Sequence, residues 1–288
     1  MFITIKLKKV ISFFGVLFAV LIFILAAFRL TGNASADEGQ QVPVVMYHHV
    51  TEDTSLLGKY VISTAELESD LKCLKDNGYI TLTVEELVEY NKSGTPLPDK
   101  CIVLTFDDGQ ESFYAYVYPL LQKYDMCAVI NIVGSYVEKY SQMNDHDLRY
   151  SCLTWEQVQE MQESGFVEIG NHTYALHNAN GTRVGCMICA GESLDSYSSV
   201  LKDDIGYLQL RMKEETGKSA TTFAYPFGYV SIESVEILKS MGFKALMTCE
   251  EKINISDPEG DWLYNIGRFN RPSGIKSEEF FKNTMGLQ

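Results

Sequence analysis

Asp107 and Asp108 stand side by side after the apolar run Cys101-Ile102-Val103-Leu104-Thr105-Phe106, and His172 and His177 follow a second such run. Two acids forced into one small volume at a strand end repel each other unless a cation or a proton relieves them. A metal would need only one of them. Two histidines and one carboxylate make a common hydrolytic zinc set that leaves a coordination position for water, and the second carboxylate is then placed to take that water's proton. Plainer readings of the same residues stay open. Asp-Asp-Gly is also ordinary turn chemistry. His172 and His177 could be two satisfied polar residues on a helix, where positions five apart lie ~140° apart, so a shared ion requires that the segment be loop. The joint pattern is harder to dismiss: four of the five histidines, His48, His49, His172 and His177, fall at strand ends, as the carboxylate pair does. The fifth, His146, lies among Asn144, Asp145 and Asp147 and reads as a solvated loop residue.

The elements that must position these groups alternate between strand-like and helix-like segments. Val44 to Val50 reads as a strand, with Pro43 just ahead of it where no ladder bond is lost. A helix capped by Thr64 runs through Asn77, with Leu67, Leu71 and Leu74 on one face and Gly78 closing it. A short helix over 84–90 ends before Gly94-Thr95-Pro96, ahead of the Cys101 strand. Then come a helix over 111–124, a strand over 127–133, a helix ending at Gly165 with Thr154 and Gln157 as its capping box, and a strand over 166–170. A long helix over 193–215, a strand over 221–225, a helix over 231–241 and a strand over 243–248 complete the series. Such alternation predicts an α/β fold, a parallel sheet or barrel with helices outside. In a (β/α) barrel the carboxyl ends of the strands share one rim, so Tyr47-His48-His49, Asp107-Asp108, Asn171-His172 and Tyr225-Pro226 should converge on one cleft.

The amino end carries Lys6, Lys8 and Lys9, an uncharged run from Val10 to Phe28, then Arg29 and the small-residue tract Asn33-Ala34-Ser35-Ala36. Residues 1–36 are therefore expected to be an N-terminal hydrophobic helix acting as a signal peptide or membrane anchor, followed by a linker over 37–41 and a catalytic domain over 42–288. The whole chain carries −14; without the four basic residues and no acids of 1–36, the remainder carries −18. That balance disfavours nucleic acid and other polyanions as partners. It suits a neutral polymer, or one that becomes cationic during processing, and it would equally keep an extracellular domain soluble. Seven cysteines form no evident disulfide framework. Cys186-Met187-Ile188-Cys189 reads as a local disulfide or two unrelated thiols sooner than as half a metal site.

Thr105-Phe106-Asp107-Asp108-Gly109, His172-Thr173 with His177, and Phe223-Ala224-Tyr225-Pro226-Phe227-Gly228 resemble the successive motifs of the polysaccharide deacetylase family, the NodB-homology domain or carbohydrate esterase family four. The resemblance covers roughly 44–268. It implies a distorted (β/α) barrel and a metal-dependent hydrolase removing N-acetyl groups from N-acetylglucosamine units of a cell-surface polysaccharide, outside the cytoplasm. It also implies roles: Asp107 as the base, Asp108, His172 and His177 as ligands of a divalent metal, zinc foremost, and a backbone N–H near Phe227, beside Tyr225, for the oxyanion.

Three departures from the usual pattern matter. The histidines stand five apart rather than four, and Tyr47-His48-His49 precedes the acid pair; both resemble the subgroup acting on poly-β-1,6-N-acetylglucosamine of biofilms. His48 is accordingly expected as the general acid, with His49 as a substitute or a packed strand residue. Finally, Ala224 stands where many members have an arginine that orients the base. Arg268 could replace that arginine, or form an ordinary surface salt bridge. Peptidoglycan, chitin-like oligomers and O-acetylated glycans are further substrate candidates. A non-catalytic glycan-binding protein and an amidase acting on a small metabolite are the rival functions.

Overall fold

The computed structural model describes residues 39–257 and 261–287. The expected N-terminal helix and the first two residues of the linker, 37–38, lie outside them. Among the described residues no helix is long and apolar enough to cross a membrane.

Seven strands build the central sheet: β1 (Val44–Tyr47), β2 (Cys101–Phe106), β3 (Ala128–Ile132), β4 (Val167–Asn171), β5 (Thr222–Ala224), β6 (Ala245–Met247) and β7 (Phe269–Asn270). They run in the order β6-β5-β4-β3-β2-β1-β7, and every pairing is parallel; the short strand Ile80–Thr81 pairs alongside β2. Each residue of β2 is buried, as expected of a parallel strand covered on both faces. The sheet curls until its two edges nearly meet. Ile266 bridges to Met247 of β6, and three residues later Phe269 pairs with Val45 of β1. Residues 266–270 are thus the seam of a distorted barrel, as the alternation of elements predicts.

The crossovers follow from local chemistry. Thr154 and Gln157 form the expected capping box ahead of the helix Trp155–Glu163. The first helix, Thr64–Asp76, is capped one residue earlier than expected: Ser63 and Glu66 bond reciprocally and leave Thr64 inside. The long helix Leu194–Thr216 starts at Ser193 and stops at Gly217, whose φ of 77° suits glycine. The region expected as one helix over 111–124 is a wide π turn, Phe113–Val117, followed by α-helix Tyr118–Tyr124. Pro119 has no N–H to donate into the preceding turn, which accounts for the change of winding. The helix Gly134–Gln142 was not expected from periodicity.

The strand expected over 44–50 is broken. β1 ends at Tyr47, His48 stands outside it, and His49–Thr51 pairs with Val61–Ser63 in a separate two-stranded sheet. Tyr47 O accepts from Asp107 N, whereas His49 N donates to Tyr60 O, so the chain changes partner at His48. All seven cysteines are free thiols, which removes the Cys186–Cys189 disulfide reading; Cys186 is fully buried.

Candidate active site

Three non-glycine residues just past strand ends have left-handed backbones: Asp108 (φ 74°) after β2, Thr173 (φ 73°) after β4 and Phe227 (φ 61°) after β5. Such conformations cost about 1–3 kcal/mol each and persist where the surroundings over-determine them. Here they turn side chains from three strands toward one point on the carboxyl rim of the barrel. One ligand atom each from Asp108, His172 and His177 lies within 4.8 Å of the others.

The loop between the two histidines explains their five-residue spacing. His172 to Ala179 contains no regular helix. Asp204, on the long helix, accepts from Tyr174 N at 2.8 Å and Ala175 N at 2.9 Å, and the Asn171 side chain accepts from Thr173 N at 2.9 Å. These bonds satisfy the loop's backbone and swing His177 back toward His172, with ring centroids 4.9 Å apart. His172 Nδ1 lies 2.7 Å from Ala224 O. A carbonyl can only accept, so Nδ1 carries the proton and Nε2 keeps its lone pair for a ligand. The Nε2 atoms of His172 and His177 lie 3.6 and 3.2 Å from Asp108 Oδ1. Atoms ~2.0–2.1 Å from one tetrahedral centre stand ~3.3 Å apart, so this donor set fits a single metal ion.

Asp107 points into a different environment. Arg268, fully buried, donates to it bidentately: Nη1 to Oδ1 and Nη2 to Oδ2, each at 2.8 Å. The remaining guanidinium donors reach Thr248 O, Thr105 Oγ1 and Cys249 Sγ. This is a buried pair, not the surface salt bridge that sequence left open. Asn131 Nδ2 adds a third bond to Asp107, 2.7 Å from Oδ1. Burial pushes the Asp107 carboxyl up, but the charge and hydrogen bonds of Arg268 outweigh it and hold it well below the usual carboxylate range. Burial pushes Asp108 up as well, and the His177 hydrogen bond and charge bring it down. For His172 burial outweighs the two carboxylates and lowers it, favouring the neutral ring.

The other candidates divide. His48 lies within electrostatic range of both Asp107 and Asp108; its ring packs 4.8 Å from that of Tyr60, and its buried Nδ1 has no partner. His49 turns instead to Ser112, with Nδ1 3.2 Å from Oγ, as a packed strand residue. Tyr225 is core, not a substrate contact: its hydroxyl pairs with Ser234 and its ring packs on Phe223. Phe227 is 37% exposed, with its ring 4.6 Å from His177. His146, expected to be solvated, is half-exposed but tied to buried Glu111 at 2.7 Å. Asn131 and Asp204 escaped the sequence reading. The first had a visible signal, one polar residue within Ala-Val-Ile-Asn-Ile; Asp204, on a helix far along the chain, had none.

The description of the polysaccharide deacetylase family matches residues 94–246. Among curated proteins, the poly-beta-1,6-N-acetyl-D-glucosamine N-deacetylase of Escherichia coli is 28% identical over 225 residues, 72% of this chain and 33% of that one. The protein of the same name from Staphylococcus aureus is 29% identical over 193 residues, 67% of this chain and 62% of that one. The chain thus spans a third of the first relative's length and under two thirds of the second's. Among solved structures, a de-N-acetylase from Aggregatibacter actinomycetemcomitans aligns with a TM-score of 0.71 at 26% identity, over 85% of this chain and 100% of that one. IcaB from Ammonifex degensii aligns with a TM-score of 0.67, also at 26% identity, over 82% of this chain and 94% of that one.

Proposed function

This chain belongs to the polysaccharide deacetylase family, and from that premise we propose that it hydrolyses the N-acetyl groups of N-acetylglucosamine units in a cell-surface polysaccharide of the poly-β-1,6-N-acetylglucosamine type. One observation carries the reading: Asp107, held ionised by Arg268, adjoins a three-residue ligand set on the same rim. The names of the curated relatives support the substrate class.

Asp108, His172 and His177 are the residues that would hold a divalent metal, and two histidines with one carboxylate suit zinc. When bound there, the metal supplies Lewis acidity toward water and toward the acetamide carbonyl. Asp107 takes the proton of the attacking water. Its depressed basicity limits how readily it does so in the resting site, while keeping it ionised and ready across the neutral range. The Phe227 amide, on a left-handed turn beside His177, donates to the carbonyl oxygen as negative charge develops. His48, on the side of the site packed by Tyr60, delivers a proton to the departing sugar nitrogen. We place the reaction outside the cytoplasm, consistent with the lysine-flanked apolar run of residues 1–36.

Acetate release from acetylated β-1,6-glucosamine oligomers, measured after metal is stripped and zinc restored, tests the proposal. Zinc-dependent release that falls at least ~100-fold in Asp107→Asn is expected. A zinc-loaded chain that releases no acetate from any acetylated glycan would overturn the reading.

A further inference from the structure

Asn131 touches Asp107 but takes no part in the proposed reaction. Fully buried and near the carboxyl end of β3, it donates from Nδ2 to Asp107 Oδ1 at 2.7 Å. Arg268 Nη1 donates to that same oxygen at 2.8 Å, while Oδ2 receives Arg268 Nη2. A carboxylate offers about two acceptor positions on each oxygen. Oδ1 is therefore filled, and Oδ2 keeps one position.

The strand beside Asn131 carries the space it needs. Asn131 and Gly170 are register partners across β3 and β4. A Cβ built on Gly170 would lie 2.1 Å from Asn131 Oδ1 and 3.1 Å from its Cγ, while the next nearest atom, Val129 Cγ1 at 3.6 Å, makes an ordinary contact. Gly170 does not have a left-handed backbone, so what it provides here is room, not conformational freedom. The acceptor Asp107 demands that the NH2 end of the amide face it, which leaves buried Oδ1 of Asn131 over Gly170 without a partner. Burying an acceptor that way costs stability, so a purely structural reading leaves this arrangement unexplained.

We propose that Asn131, seated in the notch at Gly170, is a positioning residue for the base: it occupies Oδ1 of Asp107 and leaves Oδ2 as the oxygen that receives the proton. In the step so defined, the O–H bond of the attacking water breaks, an Oδ2–H bond forms, and the electron pair stays on the attacking oxygen. This rests on Asp107 being the base of a deacetylase.

A double-mutant cycle on the zinc-loaded full chain tests it, comparing native, Asn131→Ala, Gly170→Ala and the double variant by kcat, KM and urea midpoint. Asn131→Ala should lower kcat ~10- to 100-fold, the worth of one hydrogen bond to a charged group, with KM within about twofold. Gly170→Ala should lower kcat comparably in the native background and add nothing once Asn131 is alanine. A Gly170→Ala chain that folds only in company with Asn131→Ala supports the notch equally. Native-like kcat in Asn131→Ala, or an equal Gly170→Ala loss in both backgrounds, overturns the proposal. Should the native chain hydrolyse no acetylated glycan, the deacetylase reading falls instead, and the urea midpoints judge the notch alone: Gly170→Ala must destabilise the native background and spare the Asn131→Ala one.

Discussion

Two buried arginines three residues apart, Arg268 and Arg271, each grip an aspartate bidentately, and the two pairs do different things. Arg268 holds Asp107 at 2.8 Å through both nitrogens; Arg271 holds Asp70 at 2.9 and 3.0 Å through Nε and Nη2. Along an extended chain, residues an odd number apart face opposite ways. Arg268 accordingly turns into the barrel, and Arg271 outward to the helix Thr64–Asp76. Asp70 also accepts from Tyr47 Oη, and Arg271 donates onward to Pro272 O and Ile275 O and stacks over Phe280. That pair is closed on itself and fastens a helix. Asp107 borders the candidate metal-ligand set. The chemistry of a buried pair does not separate structure from catalysis; the neighbours of its carboxylate do.

The sharpest way to break this contrast is to remove one charge from each pair. Arg268→Gln should lower kcat by roughly 100-fold, since the base loses both its orientation and the charge that keeps it ionised. Asp70→Asn should cost about 3–5 kcal/mol in urea unfolding, the penalty of an unpaired buried charge, while the folded fraction turns over at the native rate. If Asp70→Asn changes kcat more than stability, the two regions are not distinct.

Zinc sharpens the comparison further. At a hundredfold excess over its dissociation constant it should add about 2.7 kcal/mol to the native chain. The gain should vanish in His172→Ala and persist in Asp70→Asn, as thermal melts with and without chelator would reveal. The smallest effect concerns acidity. Because the folded-state carboxyl of Asp107 is depressed, its contribution to stability is complete above the unfolded value, about pH 4, and is lost as pH falls from there toward the folded value. The urea-midpoint gap between native and Asp107→Asn should therefore stay level from about pH 5 to 8 and close only on stronger acidification.

How far the sequence could be read follows from the range of each interaction. Most strand ends, the Thr154–Gln157 capping box and the demand that residues 172–177 be loop rest on nearest neighbours, and the local pattern carries them. The break at His48 depends on which strand its neighbours pair with, and the π turn before Pro119 on how a helix accommodates one missing donor; periodicity over 44–50 and 111–124 is blind to both. Asn131, Asp204 and the Asp70–Arg271 pair are met only across the folded chain. Arg268 was reachable because an expected cation was missing at Ala224, an absence that directs attention to the remaining cations.

The seam at residues 266–270 has a consequence in time. The carboxylate emerges from synthesis at position 107, yet the guanidinium that tunes it arrives 161 residues later, on the stretch that joins the barrel's edges. Arg271, which clamps the first helix, follows within three positions. A growing chain can therefore lay down every strand that bears a proposed metal ligand and still have the proposed base untuned, so competence comes late, with the closing of the ring.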